Sequence, residues 1–351
     1  MARTFDNPLG TDGFEFVEFT SPQPEEVGRL FRQFGFAEVA RHRHKAVSLY
    51  QQGDINFILN REPNSQAAGF AHYHGPSCNA MAFRVKDAAR AYQEALGRGA
   101  FPIDQPVGPM ELRIPAIAGV GGLVIYLVDR YGARTIYDVD FEPLASAGGQ
   151  SGVGLTRIDH LTHNLQRGHL AQWADFYQRV FNFREIRHFD IEGQLTGLIS
   201  SAMTSPCGKI RIPLNESRDD KSQIEEFLAR YHGEGIQHIA LATDDIHATV
   251  EALARRGVPF QQNPAAYYEA VDQRLPGHGE DLARLRANGI LVDGNPAAGG
   301  GLLLQIFTRD MIGPIFFEII QRKGDEGFGE GNFRALFEAI ERDQIRRGVL
   351  S

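Results

Sequence analysis

The sequence predicts an α+β protein made of two tandem βαβββ modules, each an open, curved mixed sheet with its helices outside. Three observations carry that expectation. The chain has 351 residues, too many for one ordinary hydrophobic core. Short runs of alternating apolar and polar residues dominate it, with a few amphipathic helices between them. One strand–helix stretch recurs in register: Asn79-Ala80-Met81-Ala82-Phe83-Arg84-Val85-Lys86-Asp87 lies on Gln237-His238-Ile239-Ala240-Leu241-Ala242-Thr243-Asp244-Asp245, and Gly99 then falls on Gly257. A gapless match running to the glycine that stops the helix marks two copies of one unit.

In the first copy, residues 13–20 read as a strand and 22–34 as a helix, with Val27, Leu30, Phe31 and Phe34 at helical spacing. Strands are expected at 37–42, 46–51 and 55–60, separated by turn residues such as Gly53-Asp54. A polar loop follows, then a strand at 79–85, a helix at 86–99 and a last buried strand at 123–128. In the second copy, strands are expected at 158–165, 183–189, 195–201, 210–214, 236–243, 302–308 and 315–321, with helices at 168–181, 222–231 and 244–257. Gly148-Gly149-Gln150-Ser151-Gly152 is the natural linker, dividing the chain into residues 1–150 and 151–351.

The composition narrows the function. A net charge of −8 without a basic run argues against nucleic-acid binding. Cys78 and Cys207 form no CxxC pair or disulfide framework, which suits a reducing compartment. Residues 1–8 lack the apolar core of a secretory signal, and no apolar run approaches the roughly 20 residues of a membrane span. A cytoplasmic protein is expected, acting on a small molecule and not on a membrane.

Setting the copies side by side isolates a candidate site. Three strands of the second copy carry a hard-metal donor: His160, His238 and Glu318. The corresponding places in the first copy read as Phe16, Ala80 and Leu127. Any one of the three could be an ordinary strand residue, but Glu318 sits among Phe316, Phe317, Ile319 and Ile320. There it would be a buried carboxylate, which is costly unless paired or bound to a cation. Strands of one sheet can bring all three to one ion. Two imidazoles and one carboxylate with open positions form the facial set typical of non-haem Fe(II), and zinc hydrolases use similar donors. His163 points to the opposite face of a regular strand from His160 and is not counted as a ligand; Thr162-His163-Asn164 is expected to support the site.

At these residues the chain resembles a known family. The tandem modules look like the vicinal-oxygen-chelate architecture. Six motifs closely resemble the 4-hydroxyphenylpyruvate dioxygenase family: Asp159-His160-Leu161-Thr162-His163-Asn164, Pro213-Leu214-Asn215-Glu216, Lys221-Ser222-Gln223-Ile224, Gly235-Ile236-Gln237-His238-Ile239-Ala240, Leu304-Gln305-Ile306-Phe307-Thr308 and Phe316-Phe317-Glu318-Ile319-Ile320-Gln321-Arg322. So does Gly327-Phe328-Gly329-Glu330-Gly331-Asn332-Phe333. The resemblance covers residues 155–345 in order and is looser in the first copy.

It implies one Fe(II) per chain on His160, His238 and Glu318, and conversion of 4-hydroxyphenylpyruvate and O₂ to homogentisate and CO₂ in tyrosine and phenylalanine catabolism. It further implies catalytic roles for Gln305, Gln223 and Asn215. Ser200, Pro213, Phe307, Phe316, Phe328, Asn332 and Phe333 match substrate-binding positions, with a gating helix over about 332–346. Arg211 departs from the aliphatic residue many relatives carry beside Pro213. A homo-oligomer is expected. The rival readings are 4-hydroxymandelate synthase on the same substrate and metal, an extradiol ring-cleaving dioxygenase, and a metal-free binding module of the same fold.

Overall fold

The computed structural model describes residues 5–145, 152–192, 196–329, 331–332, 344–345 and 348. In chain order the first half forms β1 (Thr11–Thr20), α1 (Pro24–Gln33), β2 (Ala37–His42), β3 (Val47–Gln52), β4 (Ile55–Asn60), α2 (Gln66–His74), β5 (Ser77–Val85), α3 (Ala88–Gly97), β6 (Pro102–Ile103), β7 (Ala116–Ala118), β8 (Val124–Val128), α4 (Tyr137–Asp140) and β9 (Phe141–Pro143). The second forms β10 (Leu155–Leu165), α5 (Leu170–Phe181), β11 (Arg184–Glu192), β12 (Gly197–Thr204), β13 (Arg211–Ser217), α6 (Gln223–Tyr231), β14 (Gly235–Thr243), α7 (Ile246–Arg255), α8 (Ala265–Glu269), α9 (Val271–Arg274), α10 (Leu282–Asn288), β15 (Leu291–Gly294), β16 (Leu302–Phe307) and β17 (Phe316–Lys323).

The strands form two mixed sheets of nine and eight strands. Their orders, β6-β7-β8-β5-β1-β4-β3-β2-β9 and β15-β16-β17-β14-β10-β13-β12-β11, match strand for strand apart from the added β9. The repeat seen in one strand–helix pair therefore extends through the whole topology. Alternation along each strand separates two faces. On β1, Val17 and Phe19 turn into a core beneath the helices, whereas Phe16 faces the sheet's other side. The helix-side cores of the two halves merge: Phe34 of the first packs 4.7 Å, ring to ring, from Phe317 of the second, and Phe83 lies 5.3 Å from Phe181. Each sheet is thus held from behind, leaving its concave face to enclose a cavity.

Three expectations need correction. The "polar loop" after β4 contains α2, whose first turn is closed by the Ser65 hydroxyl accepting the Ala68 N–H. Its buried residues are Ala67, Phe70, Ala71 and His74, too few and too small to make a legible apolar stripe. Between α7 and β16, where the pattern assigns nothing, lie α8, α9, α10 and the edge strand β15. In the third, Leu127 turns into the helix-side core and is not the counterpart of Glu318. Of the linker, residues 148–151 lie outside the described residues.

Candidate metal centre

The centre is built on three adjacent strands, β10, β14 and β17. The β10–β14 pair is antiparallel with His160 opposite Ala240 and Thr162 opposite His238; the β14–β17 pair is parallel with Ala240 beside Glu318. His160 and Glu318 therefore flank Ala240 in one transverse row, and His238 sits in the next. The small Ala240 side chain lets the donors on either side converge. Glu318 Oε2 is 3.2 Å from His160 Nε2 and 3.4 Å from His238 Nε2. One ligand atom from each residue lies within 4.8 Å of the others, and all three residues are buried. It is the one such donor group among the described residues.

Two single-residue bulges aim the imidazoles. Pairing shifts between Ile158 and His160, making Asp159 an extra residue on β10, and between Thr162 and His163, making Gln237 an extra residue on β14. A bulge breaks strict alternation and re-aims a side chain. Here each bulged residue meets the histidine that follows it: His160 Nδ1 lies 2.9 Å from Asp159 Oδ1, and His238 Nδ1 lies 2.9 Å from Gln237 Oε1. With Nδ1–H donated to those oxygens, Nε2 of each ring keeps a lone pair directed at the centre. That is the tautomer a metal requires, fixed by the outer hydrogen bond. The donors present thus fit a divalent cation.

Further contacts hold this arrangement. Arg322 grips Asp159 through two bonds of 2.8 Å, and burial, which would raise the Asp159 carboxyl, is overridden by Arg322 so that it lies well below its ordinary value. In the metal-free site burial works against the Glu318 carboxylate, but the proton that His160 Nε2 shares with it, helped by His238, holds it down to about 2; a bound cation would take that proton's place. Gln305 Nε2 donates to Glu318 Oε1 at 2.7 Å, and Asn332 Nδ2 donates to Gln305 Oε1 at 2.9 Å. Tyr267 then donates to Asn332 and accepts from Arg274, so a chain of hydrogen bonds runs from the metal carboxylate to the surface. Gln305 acts in this structure by orienting Glu318.

The cavity beside the triad measures about 30 Å³ and is lined by His160, Thr162, Phe189, Ser200, Pro213, His238, Gln305, Phe307, Glu318 and Phe328. Of the residues expected at the site, Ser200, Pro213, Gln305, Phe307 and Phe328 line this cavity. Phe316 does not line the wall; it stacks on His238 at 4.9 Å and 21°. Asn332 touches the site through Gln305. Asn215 is absent from the wall; it lies one strand from Asn164 in register, on the face of the sheet that carries His160, with its Oδ1 lacking a hydrogen-bond partner, and both amide atoms of Asn164 lack one too. Gln223 occupies the first turn of α6 and is absent from the wall. Phe333 and residues 333–343 of the expected gating helix lie outside the described residues. Phe189, Asp159, Gln237, Tyr267 and Arg322 were not expected here as individual participants.

Arg211, on the same strand as Pro213, approaches Asp159 at 3.5 Å and pairs with Glu326. It reinforces the anchor of His160 and leaves the pocket wall to Pro213. His163 faces the helices, its ring 6.3 Å from Tyr177, with Nδ1 bonded to the Leu161 carbonyl at 3.1 Å. It supports the fold and does not reach the metal donors' inner side. Burial lowers its pKa from 6.5 to about 4. Above pH 6.5 the ring is neutral folded or unfolded. As pH falls from 6.5 towards 4 the unfolded chain takes up a proton that the folded one refuses, so stability is lost. Between pH 6.5 and 5 the loss should reach about 1.5 kcal/mol. In urea titrations at both pH values, His163→Phe should shrink the stability difference by about that amount; an unchanged difference would show that His163 does not titrate this way.

The first sheet preserves the frame but not the donors. Its register sets Phe16 opposite Ala82, Glu18 opposite Ala80, and Ala82 beside Tyr126. Phe16 and Ala80 therefore do correspond to His160 and His238. The counterpart of Glu318 is Tyr126, not Leu127, which turns into the helix-side core. Even the bulges recur, at Glu15 and Asn79.

Residues 5–142 match the family profile described as hydroxyphenylpyruvate dioxygenase, N-terminal, and residues 157–270 match that of the glyoxalase/bleomycin resistance protein/dioxygenase superfamily. The chain is 62% identical over 351 residues to "Hemolysin VllY" of Vibrio vulnificus, covering 98% of each chain. It is 60% identical to a 4-hydroxyphenylpyruvate dioxygenase of Pseudomonas aeruginosa, covering 98% of this chain and 97% of that one. Among solved structures, a triple mutant of 4-hydroxymandelate synthase from Streptomyces coelicolor superposes with a TM-score of 0.84 at 27% identity, over 96% of this chain and all of that one. With near-complete coverage at this level of identity, and a buried His-His-Glu centre on the second of two matched sheets, the chain belongs to the 4-hydroxyphenylpyruvate dioxygenase family.

Proposed function

We propose that the chain binds one Fe(II) at His160, His238 and Glu318 and converts 4-hydroxyphenylpyruvate and O₂ to homogentisate and CO₂. The observation that supports it most is the convergence of two Nε2 atoms and one carboxylate, each tied from behind by Asp159, Gln237 or Gln305. Bound Fe(II) would supply O₂ activation and a Lewis acid for the substrate's 2-oxo acid. Two neutral rings and one carboxylate leave a divalent centre with a net positive charge, which favours a pyruvate anion.

The protein's own residues orient the substrate and keep water out. Phe307, Phe189 and Pro213 offer apolar walls for a phenyl ring. Ser200, Asn215 and Asn164 line up across β12, β13 and β10, since Ser200 pairs with Asn215 and Asn215 with Asn164. Their unpartnered amide atoms suit a phenol hydroxyl and can hydrogen-bond it without adding charge. Phe328 stands edge-on to His160 at 5.5 Å. A cavity of about 30 Å³ holds about one water, so the wall must open to admit the substrate; we assign that movement to Phe328, whose return would keep water out. We assign the first sheet a metal-free, structural place in this reaction.

The test is anaerobic loading with Fe(II), then addition of 4-hydroxyphenylpyruvate and air. O₂ uptake matched by homogentisate is expected. If 4-hydroxymandelate were the sole product, the dioxygenase reading would be overturned in favour of the synthase.

A further inference from the structure

The concave face of the first sheet encloses a cavity of about 460 Å³, far larger than the one beside the metal donors. That volume is in the range of small-molecule sites. Its walls are mainly apolar, Val47, Ile58 and Ile114 among them, and two aromatic rings stand on its floor: Phe16 and Tyr126, 5.6 Å apart and inclined at 48°.

Four acids line the cavity, Glu18, Asp104, Glu111 and Asp140, and Glu18 is the one set on the sheet beside the aromatic floor. Glu18 is 7% exposed, and its Oε1 accepts from Asn79 Nδ2 at 2.6 Å and from Asn60 Nδ2 at 2.9 Å. Its Oε2 has no donor among the described residues. The basic groups of the lining are engaged elsewhere: Lys45 pairs with Glu111 at 2.8 Å, Arg113 with Asp104 at 2.9 Å, and His42 Nδ1 accepts the His44 and Lys45 N–H groups at 3.1 and 3.2 Å. Of the other acids, Asp104 and Glu111 hold Arg113 and Lys45, and Asp140 receives the Leu112 N–H. Burial pushes the Glu18 carboxyl up, with both amides and the more distant Lys45 opposing it. A buried carboxylate with one free oxygen and no cation in contact lacks its usual partner. By register Glu18 stands where the second sheet has Thr162, beside the His238 row, so this carboxylate faces the place corresponding to the metal centre.

We propose that this cavity is a second ligand site, which takes a primary arylalkylamine with its ammonium group on Glu18 Oε2 and against the Phe16 and Tyr126 rings, and its ring among the apolar walls. An ammonium supplies the donors Oε2 lacks and is attracted to aromatic faces. The site is independent of the metal centre and of the reaction proposed for it.

Phenethylamine titrated calorimetrically into the full chain tests this, with 2-phenylethanol as the uncharged analogue. The amine should bind, and the alcohol should bind about 10- to 100-fold more weakly. Glu18→Gln should weaken the amine by a similar factor, and Ile114→Trp, which adds bulk to the cavity wall and leaves the carboxylate in place, should remove binding. His238→Ala should leave the amine's affinity unchanged. No binding at millimolar amine, equal binding of the alcohol, or binding that persists in Ile114→Trp or vanishes in His238→Ala would each overturn the proposal. If Glu18→Gln fails to fold, the alcohol comparison and Ile114→Trp decide.

Discussion

His238→Ala is expected to lose its bound metal and more than about 100-fold in turnover while the protein stays folded. Disturbing even an outer hydrogen bond to a metal ligand costs about 10- to 100-fold in affinity or activity, and removing a donor outright costs more. Only His160 and Glu318 would remain. The fold tolerates the change because His238 sits on the concave face of β14, away from the merged helix-side core. The groups it abandons, the Thr162 hydroxyl at 3.0 Å from Nε2 and Gln237 Oε1, can turn to water in the space left by the ring. Phe316 loses its stacking partner, a modest loss of packing. Metal content, circular dichroism and O₂ uptake on the same preparation check the three parts. A variant with full O₂-dependent turnover would show that the triad is wrongly assigned.

The metal donors were legible in the sequence because they break a pattern the chain itself supplies. His160 and His238 stand where the first copy has Phe16 and Ala80, and the register of both sheets bears out that pairing. The third comparison failed for a physical reason. β5 runs to β8 through 38 intervening residues, β14 to β17 through 72, with α8, α9, α10, β15 and β16 in the longer connection. Across connections of such different length nothing local sets the register of a parallel strand, and an error of one residue turns the side chain to the other face. Residue 127 fits the apolar pattern of the strand as well as residue 126 does, and only the pairing of β5 with β8 singles out Tyr126.

The roles of Asp159 and Gln237 were hidden for a related reason. In a regular strand each would point away from the histidine that follows it, and it takes a bulge, set by pairing with the neighbouring strand, to bring them round. Gln305 was legible as a site residue. Its bond to Glu318 could not be read until β16 and β17 were placed side by side with Phe307 beside Glu318.

Arg322→Met should be the most destabilising single change near the site, by about 3–5 kcal/mol, because it strands a buried charge. Asp159 is 1% exposed and receives both guanidinium bonds at 2.8 Å, while Arg211, at 3.5 Å, offers only partial compensation. The same guanidinium donates to the Asp325 and Gly327 carbonyls, at 3.1 and 2.6 Å, so it also fastens the segment leading to Phe328. Two readouts should move together in the variant: urea stability of the metal-free protein, and metal affinity, by about 10- to 100-fold, as Asp159 loosens its hold on His160 Nδ1. Removing the charge at the other end separates the causes. If the loss comes from an uncompensated carboxylate, Asp159→Asn combined with Arg322→Met should be more stable than Arg322→Met alone, although it carries one more substitution. If the double variant is the less stable, the cost lies in the carbonyl contacts of Arg322. The anchor of His160 would then owe its rigidity to the chain around Phe328 and not to the buried ion pair.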